Sequence, residues 1–225
     1  DNPYITELSW ENIRFFFTDI YFSMYLPVTL LTYAIDYHFS GMDASLYHIT
    51  SVVFHLFNTA LVFWFVYTLM KMVKNKYALM YAIIVAALFG IHTIHVESVT
   101  WIAERKDVTY TFFYFICLLF YLQYIRSAKI KHLLLSLLMF FLSLISKAQA
   151  MPLAVVLILI DYFLKRDLLS QKVLVEKIPY FVLAIIFGII AILATRQEGA
   201  SSNAALPFDE KILYCAYNLT TYVIK

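Results

Sequence analysis

Six apolar runs, at roughly 46–70, 77–92, 108–125, 132–146, 152–164 and 178–195, constrain this chain more than any other feature. A helical span needs about 20 residues, within a range of roughly 17–25, to cross a hydrocarbon core ~30 Å thick. The fourth and fifth runs fall short and rely on Lys131, Lys147, Lys165 and Arg166 snorkelling at their ends. With 63% of the 225 residues hydrophobic and 14% charged, the polar surface of a soluble domain is missing. The expectation is an all-α integral membrane protein, a multi-span helical bundle with interfacial helices in its external loops. Only two cysteines are present, Cys117 and Cys215, which is no disulfide framework, and Cys117 reads as a small core residue. A formal net charge of +2 gives no sign of a nucleic-acid partner, and none is expected.

The basic residues set an orientation. Lys71, Lys74 and Lys76 follow the first run, Arg126, Lys129 and Lys131 the third, and Lys165, Arg166, Lys172 and Lys177 the fifth. The positive-inside rule places these alternate loops in the cytosol. Residues 1–45, the loop 92–107, the turn "SKAQAMP" and a loop from 197 leading into a further helix by 225 then lie on the other side, with the bundle itself at 46–196. Within the first segment, "SWENIRFFFTDIYFSMYL" is amphipathic, has Ser9 as its N-cap, and is expected flat at the interface. "PVTLLTYAIDYHF" is apolar but short and carries Asp36, so an interfacial or partly immersed helix is preferred to a crossing. The chain opens without an initiating Met or an apolar leader, and reads as a fragment of a longer protein.

Charge gathers in "HTIHVESVTWIAERKD". On a helix, Glu97, Trp101 and Glu104 share a face at i, i+4 and i+7. A solvated interfacial helix with an anchoring Trp explains that spacing equally well. Arg105 and Lys106 tilt the reading toward a site, because cations are disfavoured on this side unless an anion awaits them. Arg offers a planar fork to phosphate oxygens and Lys a point charge, and Glu104 and Asp107 are positioned to hold them. His92 and His95 lie at i, i+3, too few ligands and the wrong spacing for zinc, so no metal is expected. They suit either hydrogen bonds to phosphate or sugar, or a structural helix end. His48, His55 and Asn58 form a stripe on the first run; His55 and Asn58 read as interhelical bonds, and His48 as facing the site from near the outer surface. Lys147 beside Gln149 is equally an anchor or a ligand, and Asp161 is expected to pair with Lys165 or Arg166.

The strings "YHITSVVFHLFNTALVF", "AALFGIHTIHVESVTWIAERKDV", "SLISKAQAMPLAVVLILIDYF" and "EKIP" resemble the membrane half of the transmembrane and tetratricopeptide-repeat proteins, a family of the GT-C glycosyltransferase superfamily that includes protein O-mannosyltransferases. His92, His95, Glu97, Glu104, Arg105, Lys106, Asp107 and Lys147 match its pattern; Thr93 departs from it, where relatives usually carry Pro. The resemblance implies a GT-C-like bundle with an external active site, a polyprenyl-phosphate sugar as donor, a protein hydroxyl as acceptor, membrane lipids as surroundings, and no cofactor. It implies a catalytic Asp upstream of Asp1, in a first external loop, with Glu97 and Glu104 supporting. The donor phosphate falls to Arg105 first, then Lys106, Lys147, His92 and His95, and substrate contacts to His48, Trp101 and Asp107. Inverting transfer is expected, with Arg105→Ala lowering it by roughly 10²–10³. A tetratricopeptide-repeat domain would follow. The bacterial inner membrane is the first expected location and the endoplasmic reticulum the second. A transporter or lipid-handling protein without bond chemistry, or an inactive scaffold, is the competing reading.

Overall fold

A computed structural model describes residues 3–21, 23–197 and 208–224. Ten α-helices run through them: α1 Trp10–Thr18, α2 Pro27–Ser40, α3 Ala44–Met72, α4 Ala78–Ile91, α5 His95–Thr100, α6 Arg105–Ser127, α7 Ile130–Leu144, α8 Leu153–Phe163, α9 Gln171–Gln197 and α10 Phe208–Ile224. All six expected runs are helical. Three stretches among the described residues are long and apolar enough to cross a membrane: Ala44–Met72, Ile102–Ser127 and Gln171–Thr195. α4 joins α7 and α8 as a short apolar helix, at 14 residues. α9 begins at Gln171 rather than near 178 and carries Pro179 within it. Large apolar side chains stand out from the bundle on α3, α4 and α9, with Leu56 62%, Leu88 57% and Ile185 61% exposed. A helix apolar all round and bare on one side needs lipid, not water, around it. The chain is an all-α membrane protein, as its sequence indicates.

Close packing follows from small residues. Ala78, Ala82 and Ala86 are the buried stripe of α4, and Gly90 extends it by one more turn. A Cβ at Gly90 would meet Thr59 Cγ2 of α3 at 3.1 Å. Spacing small residues at i+4 lets two backbones approach where no water-driven force pushes them together. The buried stripe of α3 is Tyr47, Ser51, Asn58 and Val62. The main core gathers Cys117, Leu118 and Leu122 of α6, Phe140 and Leu144 of α7, Leu157 of α8 and Tyr180 of α9. Inside it, Tyr180 donates to Ser136 Oγ at 2.9 Å, and Ser136 donates to the Cys117 carbonyl at 2.9 Å, so one hydroxyl ties three helices together.

The helices alternate in direction, so Met72, Ala78, Ser127, Ile130, Phe163 and Gln171 gather at one end of the bundle and the opposite termini at the other. The first end carries the basic loops. There, Asp161 is paired with Arg166 at 3.0 Å and Lys177 at 2.5 Å, and Arg166 with Glu176 at 2.9 Å. Tyr121 donates to Asp161, and Tyr124 to Glu176 at 2.5 Å. The expected Asp161–Arg166 pair is present. Lys165 takes no part in this network, because Asp161 instead meets Lys177 from the next helix.

α1 and α2 cap the other end. Ser9 is the N-cap of α1, its Oγ accepting from the Asn12 amide at 3.2 Å. Phe16 packs with Leu30 and Ala34 in a small core of their own. α2 touches the end of α7 through Val28 N to Ile145 O and Thr29 Oγ1 to Ser146 O, at 3.4 and 3.0 Å. Further along, its Tyr33 hydroxyl donates to Ile102 O at 2.5 Å, and burial pushes that phenol up, keeping the proton on the donor. Both halves of α2 therefore contact the same end of the bundle. The helix lies across that end and does not run through it.

Candidate functional site

The first basic residue of the charged loop is inside the protein. Arg105 is fully buried. Its Nη1 stands 2.6 Å from Asp36 Oδ2, a close ion pair rather than a linear hydrogen bond. Nε donates to Ser51 Oγ at 3.3 Å, Nη1 to Thr32 O at 3.4 Å and Nη2 to Tyr47 O at 2.7 Å. The guanidinium carbon sits 4.7 and 5.5 Å from the ring centroids of Tyr33 and Tyr47. Thr50 completes the arrangement by donating to Asp36 Oδ1 at 2.9 Å. Each of the three guanidinium nitrogens thus has a partner. In this arrangement Arg105 joins α2, α3 and α6 and lines neither cavity described below, so the geometry lends no support to the expectation that it leads in gripping a phosphate.

Glu104, Lys106 and Asp107 of the loop do face a cleft. Lys106 Nζ lies 2.9 Å from Glu104 Oε1, and Lys147 Nζ lies 3.7 Å from Glu104 Oε2 and pairs with Asp107. Ser98 donates to Asp107 Oδ2 at 3.0 Å. Two lysines and two carboxylates thus alternate, and Lys147, contributed by the α7–α8 turn, is held from both sides. Glu104 holds Lys106, as the sequence suggests, but Asp107 holds Lys147 and not the adjacent basic pair.

Two cavities meet at this array. One, of about 370 Å³, is lined by His55 and Asn58 of α3, His95 and Ser98 of α5, Asp107, Tyr110 and Tyr114 of α6, and Gln149. The second, of about 330 Å³, is lined by Glu104, Lys106 and Lys147 together with Tyr25, Leu26 and the α9 residues Phe187, Ile190 and Ala191. Gln149 lines both. His55 and Asn58 make the interhelical bonds expected of them, His55 Nε2 to Gly90 O at 3.0 Å and Asn58 Nδ2 to Val108 O at 2.8 Å, yet both also line the first cavity.

Other expected positions lie outside these cavities. His48, Glu97 and Trp101 are exposed and line neither. His92 is also exposed, and its Nδ1 accepts from the Ile94 amide at 3.2 Å, which makes it a turn cap. His95 reaches the first cavity, its ring 5.6 Å from that of His55 and 6.3 Å from that of His92. Burial first, then the two neighbouring imidazoles, hold its pKa below the ordinary 6.5. The neutral ring is favoured in the folded state, so stability from this residue is complete above pH 6.5 and declines as the pH falls from there toward the lowered folded value. An NMR titration of His95 should give a midpoint under 6.5, and His95→Gln should flatten that acid limb; a midpoint at or above 6.5 would contradict the burial argument.

Sequence reasoning passed over the partners that organise this end. Asp36 is 69 positions before Arg105, and only its isolation in an apolar run signalled that a buried cation must exist for it. Tyr110 and Tyr114 looked like ordinary span residues.

The fold and its charged end define a helical membrane protein with two cavities that share Gln149. Comparison with known proteins extends this. No family model matches the chain, and no solved structure matches it. Among curated proteins it is similar to protein O-mannosyl-transferase TMTC1 of Homo sapiens, 33% identical over 106 residues, which is 46% of this chain and 11% of that protein. Protein O-mannosyl-transferase TMTC3 of Homo sapiens is 29% identical over 103 residues, 46% of this chain and 10% of that protein. Protein O-mannosyl-transferase tmtc2 of Xenopus laevis is 29% identical over 129 residues, 53% and 14% respectively. The resemblance to the transmembrane O-mannosyl-transferases is thus found by direct comparison, over about half the chain. The matched segments amount to only 10–14% of the length of these relatives.

Proposed function

We propose that this chain is part of a GT-C-type membrane glycosyltransferase that moves a sugar from a polyprenyl-phosphate donor to a protein hydroxyl. The observation that carries this is the second cavity, whose lining combines Lys106 and Lys147 with Phe187, Ile190 and Ala191. A lipid-borne anion needs that combination, cations for the phosphate and an apolar helix for the prenyl chain. The names of the similar proteins point the same way.

In the proposed reaction the acceptor oxygen attacks the anomeric carbon, and the bond from that carbon to the phosphate oxygen breaks. The electron pair leaves on the prenyl phosphate, and the acceptor's proton goes to a carboxylate. One displacement inverts the anomeric centre. Negative charge grows on the leaving phosphate, where a lysine held in place by Asp107 and Glu104 stabilises it without first having to reorganise. Glu104 touches both lysines and aligns them; the base itself is assigned to an acidic residue elsewhere in the full protein, which by the same reading also carries a tetratricopeptide-repeat domain.

The proposed orientation puts the loops bearing Lys71, Arg126 and Lys172 in the cytosol and both cavities on the opposite side. The relatives matched are vertebrate proteins, which gives the bacterial inner membrane no support as a location. Supplying purified full-length protein with a polyprenyl-phosphate sugar and an acceptor peptide should release free polyprenyl phosphate in step with glycosylated peptide. Movement of the lipid across a vesicle membrane without release would refute the transferase reading in favour of a transporter.

A further inference from the structure

Long stretches of this chain contain no acidic residue. None occurs between Asp43 and Glu97, or between Asp107 and Asp161. α3, α4, α7, the later turns of α6 and the loops between them therefore bring Lys71, Lys74, Lys76, Arg126, Lys129 and Lys131 to the basic end of the bundle without a carboxylate. The α8–α9 side of that end differs, since Asp161 and Glu176 neutralise Arg166 and Lys177. Among the described residues no ion pair involves Lys71 or Arg126.

These two cations converge. A groove of about 340 Å³ between the ends of α3 and α6 is lined by Trp64, Tyr67, Thr68, Lys71 and Met72 of one helix and Arg126 of the other. Trp64, Tyr67, Thr68 and Lys71 stand at i, i+3, i+4 and i+7 and share one face of α3. Lys71 and Arg126 each occupy the last turn of their helix, where the backbone dipole already favours a cation. Each helix end is equivalent to about half a negative charge, so the two ends offset roughly one of the two positive charges. The other is left over, and among the described residues no carboxylate lines the groove to take it.

Trp64 indicates where an anion would come from. α3 has 29 residues, ~43 Å, which exceeds the ~30 Å hydrocarbon core and reaches into the headgroup layers. Trp64 is 63% exposed and lies ~12 Å before the end of this helix, at the depth where indoles settle against headgroups.

We propose that this groove binds the phosphate of an anionic phospholipid from the leaflet at the basic end of the bundle. The Arg126 fork and the Lys71 ammonium take the phosphate oxygens, Thr68 donates its hydroxyl, and an acyl chain runs along Trp64. A zwitterionic lipid is disfavoured, because its own cation meets Lys71 and Arg126. Asn58 of the first cavity is 13 positions before Lys71 on α3, ~20 Å away, so the site is separate from both cavities and does not rest on the donor reading. The lipid ties α3 to α6 at the end opposite the bond from Asn58 to the Val108 carbonyl.

Native mass spectrometry of the delipidated full-length protein tests this, with dioleoyl-phosphatidylglycerol and dioleoyl-phosphatidylcholine as probes. The tightest-bound phosphatidylglycerol should exceed phosphatidylcholine in affinity by about tenfold or more. Lys71→Gln and Arg126→Gln should each weaken it about fivefold, and together roughly 25-fold, the scale for one cation apiece at a membrane surface. Lys71→Arg keeps the charge and should stay within about twofold of wild type. Lys74→Gln with Lys76→Gln removes as much charge from the same end, but neither residue lines the groove. That pair should cost less than about twofold. If it weakens binding as much as the Lys71 and Arg126 replacements together, the attraction is a diffuse basic surface and the site falls. Equal affinity for the two lipids overturns the assignment to an anionic phospholipid. So does displacement of phosphatidylglycerol by inorganic phosphate beyond that caused by chloride at matched ionic strength.

Discussion

Asp36→Ala should lower the stability of the detergent-solubilised protein by ~3–5 kcal/mol, the cost of breaking a buried pair from one side. Arg105 is fully buried and has no other carboxylate to turn to. Its remaining partners are the Ser51 hydroxyl and two backbone carbonyls, which orient the fork without neutralising it. The double replacement of Asp36 by Leu and Arg105 by Met removes both charges. It should lie near the wild-type stability, or above it by ~1–4 kcal/mol, because an apolar pair avoids the desolvation that the ions endure. Denaturant unfolding of the wild type, Asp36→Leu, Arg105→Met and the double variant gives the coupling directly. A double variant that loses the sum of the two single losses would mean that the pair is not coupled.

This cycle also separates folding from chemistry. Transfer lost in Arg105→Ala would trace to the displaced α2, so the double variant should recover part of it. A residue that contacts the phosphate itself would show no such recovery.

Lys147→Ala is expected to have the largest effect on transfer, a fall of roughly 10²–10³ in kcat/KM, the scale for losing one preorganised electrostatic contact at a leaving group. In the proposed reaction Lys147 takes the role first expected of Arg105, since it reaches the second cavity from the α7–α8 turn and is set by Asp107 and Glu104. Lys147→Arg keeps the charge and should retain more activity than Ala. Unfolding of both variants should be followed in parallel, because Asp107 loses its ion-pair partner in the Ala variant. A Lys147→Ala protein that stays folded and transfers sugar at the wild-type rate would remove this residue from the mechanism.

The bundle was legible in the sequence because each helix is written locally. Apolar runs fix the helices, and short polar breaks such as Lys74–Lys76 and Ser127–Lys129 fix where they turn. For α2 the signal was Asp36, costly in lipid, rather than length, since α4 has the same 14 residues. Which charge pairs with which was not legible. Arg105 and Lys106 are neighbours in sequence, but successive residues on a helix point about 100° apart. One therefore turns inward to Asp36 and the other outward to Glu104. Nothing in the loop's composition distinguishes them; that depends on what α2 brings across the end of the bundle. The same holds for Asn58, whose interhelical bond was foreseen but not its place in the lining of the first cavity.

At the opposite end, Arg166 and Lys177 are matched by Asp161 and Glu176, and the four sit together between α8 and α9. During insertion, basic residues steer topology while acidic ones count for little. On the proposed orientation these two cations thus serve twice in succession. They first hold their loop on the cytosolic face of the translocating chain, and once the helices have assembled they become uncharged in sum, a neutral rivet in the wall of the finished bundle. Replacing Asp161 and Lys177 together by Asn and Met would remove one steering cation while leaving the Arg166–Glu176 pair in place, so biogenesis and folded stability become separable properties of one set of side chains.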